Sequence, residues 1–453
     1  MDNERSVVCK FGGTSMADVE SVGRVEKIVK SDPARKYIVV SAPGKCNGGA
    51  KVTDLLIQCF EEIKNGGNCD RTFPSVAARY RDIYDCLGSD ILDKTLFSVK
   101  DAMEKSGQYD FCVSRGEYLS AYFFALKTGF GFVDAAELLR FDKYDGFNAA
   151  ETDKICKKRL RETGYIVIPG FYGSDENGNI VIFSRGGSDI TGSLVAAAVK
   201  ADIYENWTDV DGILNADPRI VQSPEIISSM TYGELREMSY LGAAVMHPDA
   251  LVPLIKTRTP LAVRNTFRPE TEGTLITSCL KERSETGSGV TGIVGKKGFS
   301  VLFVHKTGMN AQKNVVRKIL SVLEYYGIGF EHMPSSIDAV NFLIPKENVS
   351  EEVKAALVDE IKKSVRPDDI RMVDNFAIVS IVGRNMRSRL GVAGRMCTAL
   401  AKAGVNIRML IQGLREINII AGVDERQYET AVRALYDEFL AEKRRIKRGF
   451  RYL

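Results

Sequence analysis

Val7-Val8-Cys9-Lys10-Phe11-Gly12-Gly13-Thr14-Ser15 is the stretch on which the reading of the fold turns. Val7 to Cys9 form a short apolar run of buried-strand type, which leads into a lysine and two glycines. Asp18 then opens a helix, with Val19, Val22, Val25 and Val29 at helical spacing. The same order of strand, turn and helix recurs further along. Tyr37–Val40 ends at Ser41-Ala42-Pro43-Gly44, and Tyr165–Ile168 leads to Gly170. Ile180–Phe183 leads to Arg185-Gly186-Gly187-Ser188-Asp189 and a helix over Ile190–Val199, and Asp202–Trp207 precedes Thr208-Asp209. This alternation predicts an α/β fold with a doubly wound, mainly parallel sheet and ligand loops at the carboxyl ends of its strands. Phe73 to Lys105 lacks strand signals and reads as a helical insertion.

Turn residues and charge mix between Thr271 and Gly298, which marks the main domain boundary. Beyond it a weak repeat appears. Phe299–His305 reads as a strand, Val315 to Leu323 as a helix, Ile328–Phe330 and Val340–Ile344 as strands, and Val353 to Ile361 as a helix. The pattern returns with Ala377–Val382, Val392–Ala403, Ile407–Ile411, Ile417–Val423 and Tyr428–Phe439. Two βαββα units suggest small ferredoxin-like modules, better suited to sensing or assembly than to catalysis. The expected domains are 1–295, 296–370 and 371–453.

The chain of 453 residues carries 62 Lys and Arg against 59 Asp and Glu, a net charge of +3. That balance calls for no nucleic-acid or membrane partner, so any anion site must be built locally. The nine cysteines are odd in number and scattered, which argues against a disulfide framework and for a reducing compartment. The three histidines, His247, His305 and His332, show no metal-ligand spacing with a cysteine. The amino-terminal residues have no apolar signal core, and no stretch approaches the length of a membrane span.

A lysine beside two glycines lets backbone and ammonium approach phosphate oxygens, although Lys10–Gly13 is neither a Walker A loop nor a G-x-G-x-x-G motif. Arg185 suits two-pronged recognition of a carboxylate, with Ser188 and a helix N-terminus adding donors. Asp189 reads either as a first-turn cap or as a group that holds Lys10 or helps bind Mg2+. Glu117, read as lying at the start of a helix over Tyr118–Leu126, is a candidate partner for an amino group. Thr53 is either an N-cap or a hydroxyl donor to substrate. Trp207, the single tryptophan, reads more readily as core than as a base-stacking platform.

Taken together, KFGGTS at Lys10–Ser15, VSAPGK at Val40–Lys45, VTDLL at Val52–Leu56, RGE at Arg115–Glu117, FSRGGSD at Phe183–Asp189, WTDVDGI at Trp207–Ile213 and ADPR at Ala216–Arg219 resemble the aspartate kinase branch of the amino-acid kinase family. The two C-terminal repeats resemble that branch's tandem ACT domains. The resemblance implies transfer of the ATP γ-phosphate to the β-carboxylate of L-aspartate in the cytoplasm, at the entry to lysine, methionine and threonine synthesis, with Mg2+ arriving on the nucleotide. It implies that Lys10, with Phe11, Gly12 and Gly13, binds phosphates, that Asp189 orients Lys10, and that Thr208, Asp209 and Arg219 line the nucleotide site. Arg185 would hold the substrate α-carboxylate, with Ser41, Thr53, Glu117 and Ser188 completing its pocket. An amino-acid effector, lysine by resemblance, would bind near Met309, Gln312, Asn314 and Ser336, and a homodimer would form through the ACT modules.

Two departures from the family stand out. Ala244 occupies the place of a family lysine in Gly242–Pro248, and Met309–Asn314 replaces a turn that usually carries serine and glycine. A lysine lost from a water-poor phosphate site could slow the reaction by orders of magnitude, with Lys256 as a nearby substitute. The competing readings are a catalytically weakened amino-acid sensor on a kinase scaffold and a kinase for another small amino acid.

Overall fold

The computed structural model describes residues 5–46, 48–142, 146–160, 164–184, 186–242, 246, 248–280, 289–386, 389–413 and 417–441. Two compact units emerge. The first comprises residues 1–213, 226–239 and 244–282, and the second comprises 214–225, 240–243 and 283–453.

An eight-stranded sheet forms the first unit. Its strands in chain order are β1 (Val7–Phe11), β2 (Arg35–Val40), β3 (Gly131–Phe132), β4 (Ile166–Pro169), β5 (Ile203–Thr208), β6 (Ser229–Thr231), β7 (Leu261–Asn265) and β8 (Thr274–Thr277). They lie in the order β6-β8-β7-β5-β1-β2-β4-β3, all pairs being parallel except β7 with β8. The central strands are buried on both faces, which is why Val7–Cys9 and Tyr37–Val40 read as short apolar runs. The sequence extends from β1 to β2 on one side and from β5 to β7 on the other, so the direction in which successive strands are added reverses where β5 meets β1. In open α/β sheets, ligands bind beyond the carboxyl ends of the strands at such a switch point.

Helix α1 (Val19–Lys30) is capped by the Asp18 carboxylate, which accepts the Ser21 N–H at 2.8 Å, and it buries Val22, Val25, Ile28 and Val29 while Val19 stays exposed. α2 (Val52–Gly66), helices Phe73–Tyr84 and Ser89–Ser106, and α3 (Tyr109–Thr128) make up the helical insertion and its support. α3 is buried on almost every side, with Leu119, Ala121, Phe123 and Phe124 in the core. α4 (Gly187–Ala198) crosses behind β1 and β5.

The second unit is built on one five-stranded antiparallel sheet, ordered β10-β9-β11-β13-β12: β9 (Gly292–His305), β10 (Ala339–Pro345), β11 (Asp369–Val382), β12 (Met409–Gln412) and β13 (Asn418–Asp424). Helices α5 (Val315–Tyr325) and α6 (Glu351–Val365) cover the β10 half around Leu302, Ile319, Phe342 and Leu357. α7 (Val392–Lys402) and α8 (Tyr428–Tyr436) cover the other half around Ile381, Met396, Ile419 and Leu435. The expected boundaries at 295/296 and 370/371 both fall inside strands, because β9 and β11 each run through both halves. Ile328–Phe330 is not a strand: only isolated bridges at His332 and Ser335 follow it. Gly327, Gly329 and Pro334 interrupt the ladder there, proline by lacking a backbone donor.

Candidate active site

Lys10 sits inside β1, one residue further into the strand than the sequence suggests, and is almost buried. Its register partner on β5 is Asn206. The ammonium donates to Asp189 Oδ1 at 2.6 Å and to Asn206 Oδ1 at 3.3 Å, and Asn206 Nδ2 approaches the same Asp189 oxygen at 3.5 Å. Asp189 is the third residue of α4, whose cap position is Gly186 in the left-handed region at φ 61°. Of the two readings of Asp189, the structure therefore supports the partner of Lys10 rather than the cap.

The chain after β1 packs against the chain after β2. Gly44 donates its N–H to the Gly13 carbonyl at 2.8 Å, and a Cβ on Gly44 would stand 2.8 Å from the Gly13 carbonyl carbon. Only glycine permits that approach. Two of the expected phosphate contacts are engaged elsewhere. The Phe11 ring is fully buried and stacks on Trp207 at 5.9 Å, and the Gly12 N–H donates to the Trp207 carbonyl at 3.2 Å. Trp207 is a core residue. Its indole N–H donates to the buried Glu205 at 3.0 Å, and the Arg35 and Arg264 guanidinium groups stand 5.3 Å and 5.5 Å from its ring.

Glu117 lies in the middle of α3 rather than at a helix start: the apolar residues from Phe111 onward continue the helix upstream, and the Arg-Gly-Glu sequence does not break it. Gly116 lets the helix meet the loop after β2, since a Cβ there would stand 2.8 Å from Ala42 Cβ. The carboxyl is buried, and Oε2 has no hydrogen-bond partner. Burial pushes its pKa up to about 7, against backbone hydrogen bonds at Ala42 and Glu117 and the nearby Arg115 guanidinium. Arg115 itself stacks on Phe111, at 4.3 Å, and on Tyr118, at 4.7 Å.

Ser41 is half-buried, its N–H donating to the Phe11 carbonyl at 3.1 Å. Thr53 is the second residue of α2, whose cap position is Lys51, so it does not cap the helix. Ser188 is buried against Gly170, which follows β4; a methyl on Gly170 would stand 2.5 Å from Ser188 Oγ and 2.8 Å from its Cα. Gly170→Ala is therefore expected to push the start of α4 away, costing about 1–3 kcal/mol of stability and raising the substrate KM. Urea unfolding and initial rates measure both effects, and a variant matching wild type in each would rule out this tight contact. Phe171 next to it holds φ 78°, with its N–H donating to Thr191 Oγ1 at 3.2 Å. A non-glycine residue in that region is strained, and such strain collects at functional sites. Neither Phe171 nor Asn206 was singled out from sequence. The visible signal for Asn206 was a polar pair, Glu205-Asn206, inside an otherwise apolar strand.

Thr208 ends β5, its hydroxyl donating to the exposed Asp209 at 3.2 Å. Arg219 belongs to the second unit, where its exposed guanidinium makes a two-pronged pair with the two Asp217 oxygens at 2.7 Å and 3.0 Å. Of the expected effector residues, Met309 is buried in the β10-side core, Gln312, Asn314 and Ser336 are exposed, and Asn314 holds φ 73° at the start of α5. Arg185, Ala244 and His247 lie outside the described residues. Lys256 is exposed in the last turn of helix Pro248–Thr257.

The amino acid kinase family model matches residues 5–265, and an ACT domain model matches 379–439. Aspartokinase 3 of Bacillus subtilis is 36% identical, over 96% of this chain and 98% of its own. The crystal structure of Clostridium acetobutylicum aspartate kinase, described as an allosteric enzyme, superposes with a TM-score of 0.88 at 44% identity, covering 96% of this chain and 100% of that one. Escherichia coli aspartokinase III with aspartate and ADP shares the fold at a TM-score of 0.74 and 23% identity, over 96% and 99% of the two chains. The chain belongs to the amino acid kinase family. Its relatives place it on the aspartate kinase branch, with ACT regulatory modules.

Proposed function

We propose that the chain is an aspartate kinase that converts ATP and L-aspartate to ADP and 4-phospho-L-aspartate. A β-carboxylate oxygen attacks the γ-phosphorus, and the bond to the β–γ bridging oxygen breaks as ADP leaves. Such a transfer needs aligned reactants and fixed positive charge rather than covalent help. The observation that carries the reading is the Lys10 ammonium, held by Asp189 at 2.6 Å beside the glycines that follow β1. Lys10 neutralises charge on the moving phosphoryl group, and Asp189 keeps the ammonium aimed.

Glu117 receives the substrate amino group. Its buried, unpartnered Oε2 supports that role, because a buried carboxylate oxygen left without a donor is costly until a cation meets it. Arg185 grips the α-carboxylate, with Ser41, Thr53 and Ser188 around it. Thr208 and Asp209, at the carboxyl end of β5, are the first unit's contribution to nucleotide binding.

Among the described residues no three His, Cys, Asp or Glu side chains converge as a metal cage. Mg2+ would arrive on the phosphate oxygens and could take one or two carboxylates, Asp209 being the exposed one at the end of β5. Mg2+ would supply further charge neutralisation on the phosphates.

The ACT modules bind an amino-acid effector, lysine being the one found with aspartate in E. coli aspartokinase III. They also join two copies of the chain, and exposed Phe330, Met333 and Ile337 give the β10 edge apolar surface to cover. The nine cysteines are unbridged, consistent with the cytoplasm. Among the described residues no helix is long and apolar enough to cross a membrane.

Trapping the product as a hydroxamate tests the reading. Aspartate hydroxamate should form with ATP. Product from glutamate alone would shift the substrate, and no ADP release at all would favour a sensor without catalysis. Arg185→Ala should raise the aspartate KM about tenfold or more with kcat largely kept, because it removes a ground-state contact. An unchanged KM rejects that role.

A further inference from the structure

We propose that Asn206 is a positioning residue for phosphoryl transfer, setting the direction of the Lys10 ammonium; the inference rests on the kinase reading above. Asn206 is 2% exposed, in the central strand next to β1. Parallel neighbours in register present side chains to the same face, so pairing Lys10 with Asn206 puts ammonium and amide side by side. The amide has one orientation that matches its neighbours. Its oxygen must face the ammonium, at 3.3 Å, and its NH2 the carboxylate of Asp189, at 3.5 Å.

A buried amide in a strand core is costly unless both of its groups are bonded. Here both serve one ion pair. With Asp189 and Asn206 as acceptors, two of the three ammonium N–H bonds are fixed, and the third direction is set by geometry. A neutral acceptor achieves this without cancelling the positive charge, which a second carboxylate would do. Asn206 thus fixes the aim of Lys10, and Asp189 supplies the counter-charge.

The test compares Asn206→Leu and Asn206→Asp with wild type in steady-state hydroxamate kinetics, with unfolding midpoints measured in parallel. Asn206→Leu, which leaves the ammonium on a single acceptor, should lower kcat about 10- to 100-fold with the aspartate KM within about twofold. Asn206→Asp has the same shape but cancels charge and loses the donor; it should lower kcat similarly and also raise the ATP KM. A folded variant of either kind with kcat within twofold of wild type overturns the assignment, as does a loss confined to the aspartate KM. Should Asn206→Leu fail to fold, the isosteric aspartate variant decides. If the wild-type chain forms no acyl phosphate, the kinase reading falls and this inference with it. If the wild type is active and the variants match it, only the Asn206 assignment falls.

Discussion

Lys10→Met should lower kcat by about a thousandfold or more, since it removes the cation that β1 fixes against Asp189 while keeping most of the side chain's bulk. The loss should appear in kcat as well as kcat/KM, because charge on the moving phosphoryl group is felt most in the transition state. The aspartate KM should change little. Removing the ammonium leaves the Asp189 carboxylate, with only 16% of its side chain exposed, without its counter-ion. Some stability should therefore be lost as well, and the Lys10→Met, Asp189→Asn double variant should recover it without recovering activity. That contrast separates catalysis from folding. A Lys10→Met enzyme with near-normal kcat would end the phosphate assignment.

Glu117 carries the second large effect. Its carboxyl titrates near 7, against an ordinary 4.5, because it is buried. An ammonium substrate is met by the ionised form, so below about pH 7 the aspartate KM should rise, approaching tenfold per pH unit. Above that pH the dependence should flatten. Glu117→Gln should remove the pH dependence and leave the KM about 30-fold or more higher throughout, the usual scale for losing one partner of a buried charge pair.

Stability of the ligand-free enzyme should move the other way. A raised folded-state value means the native state holds its proton more tightly than the unfolded chain. This contribution is fully present below about 4.5 and is lost as pH rises through about 7, by roughly 3 kcal/mol. Glu117→Gln should flatten that slope. A wild-type aspartate KM that is constant from pH 5.5 to 8 would refute the assignment.

Much of this architecture could be read from the sequence because apolar runs and glycine turns report directly on buried parallel strands. The loops at the carboxyl ends of the strands and the helical insertion followed from spacing, and the Lys10–Asp189 pairing from the resemblance. Glu117 was given the wrong place in its helix, since a continuous buried helix has no polar face to mark its start. Asn206 was missed because a polar residue in a strand signals burial cost but not the partner across the sheet. Phe171 was missed because its backbone angle depends on tertiary contacts with Thr191. The second unit's boundaries were hidden for a related reason: local periodicity shows where a strand is but not that one strand serves two modules.

That continuity has a mechanical meaning. β9 and β11, each 14 residues long, are common beams of the two ACT halves. No separate linker joins the halves; the ladder between the two strands bends instead between Lys296 and Val301, where Gly298 and Asn375 take positive φ. A torsion imposed on the β10 side reaches the rungs beside β13 through that bend, so the two halves share their load at one irregular joint in the backbone.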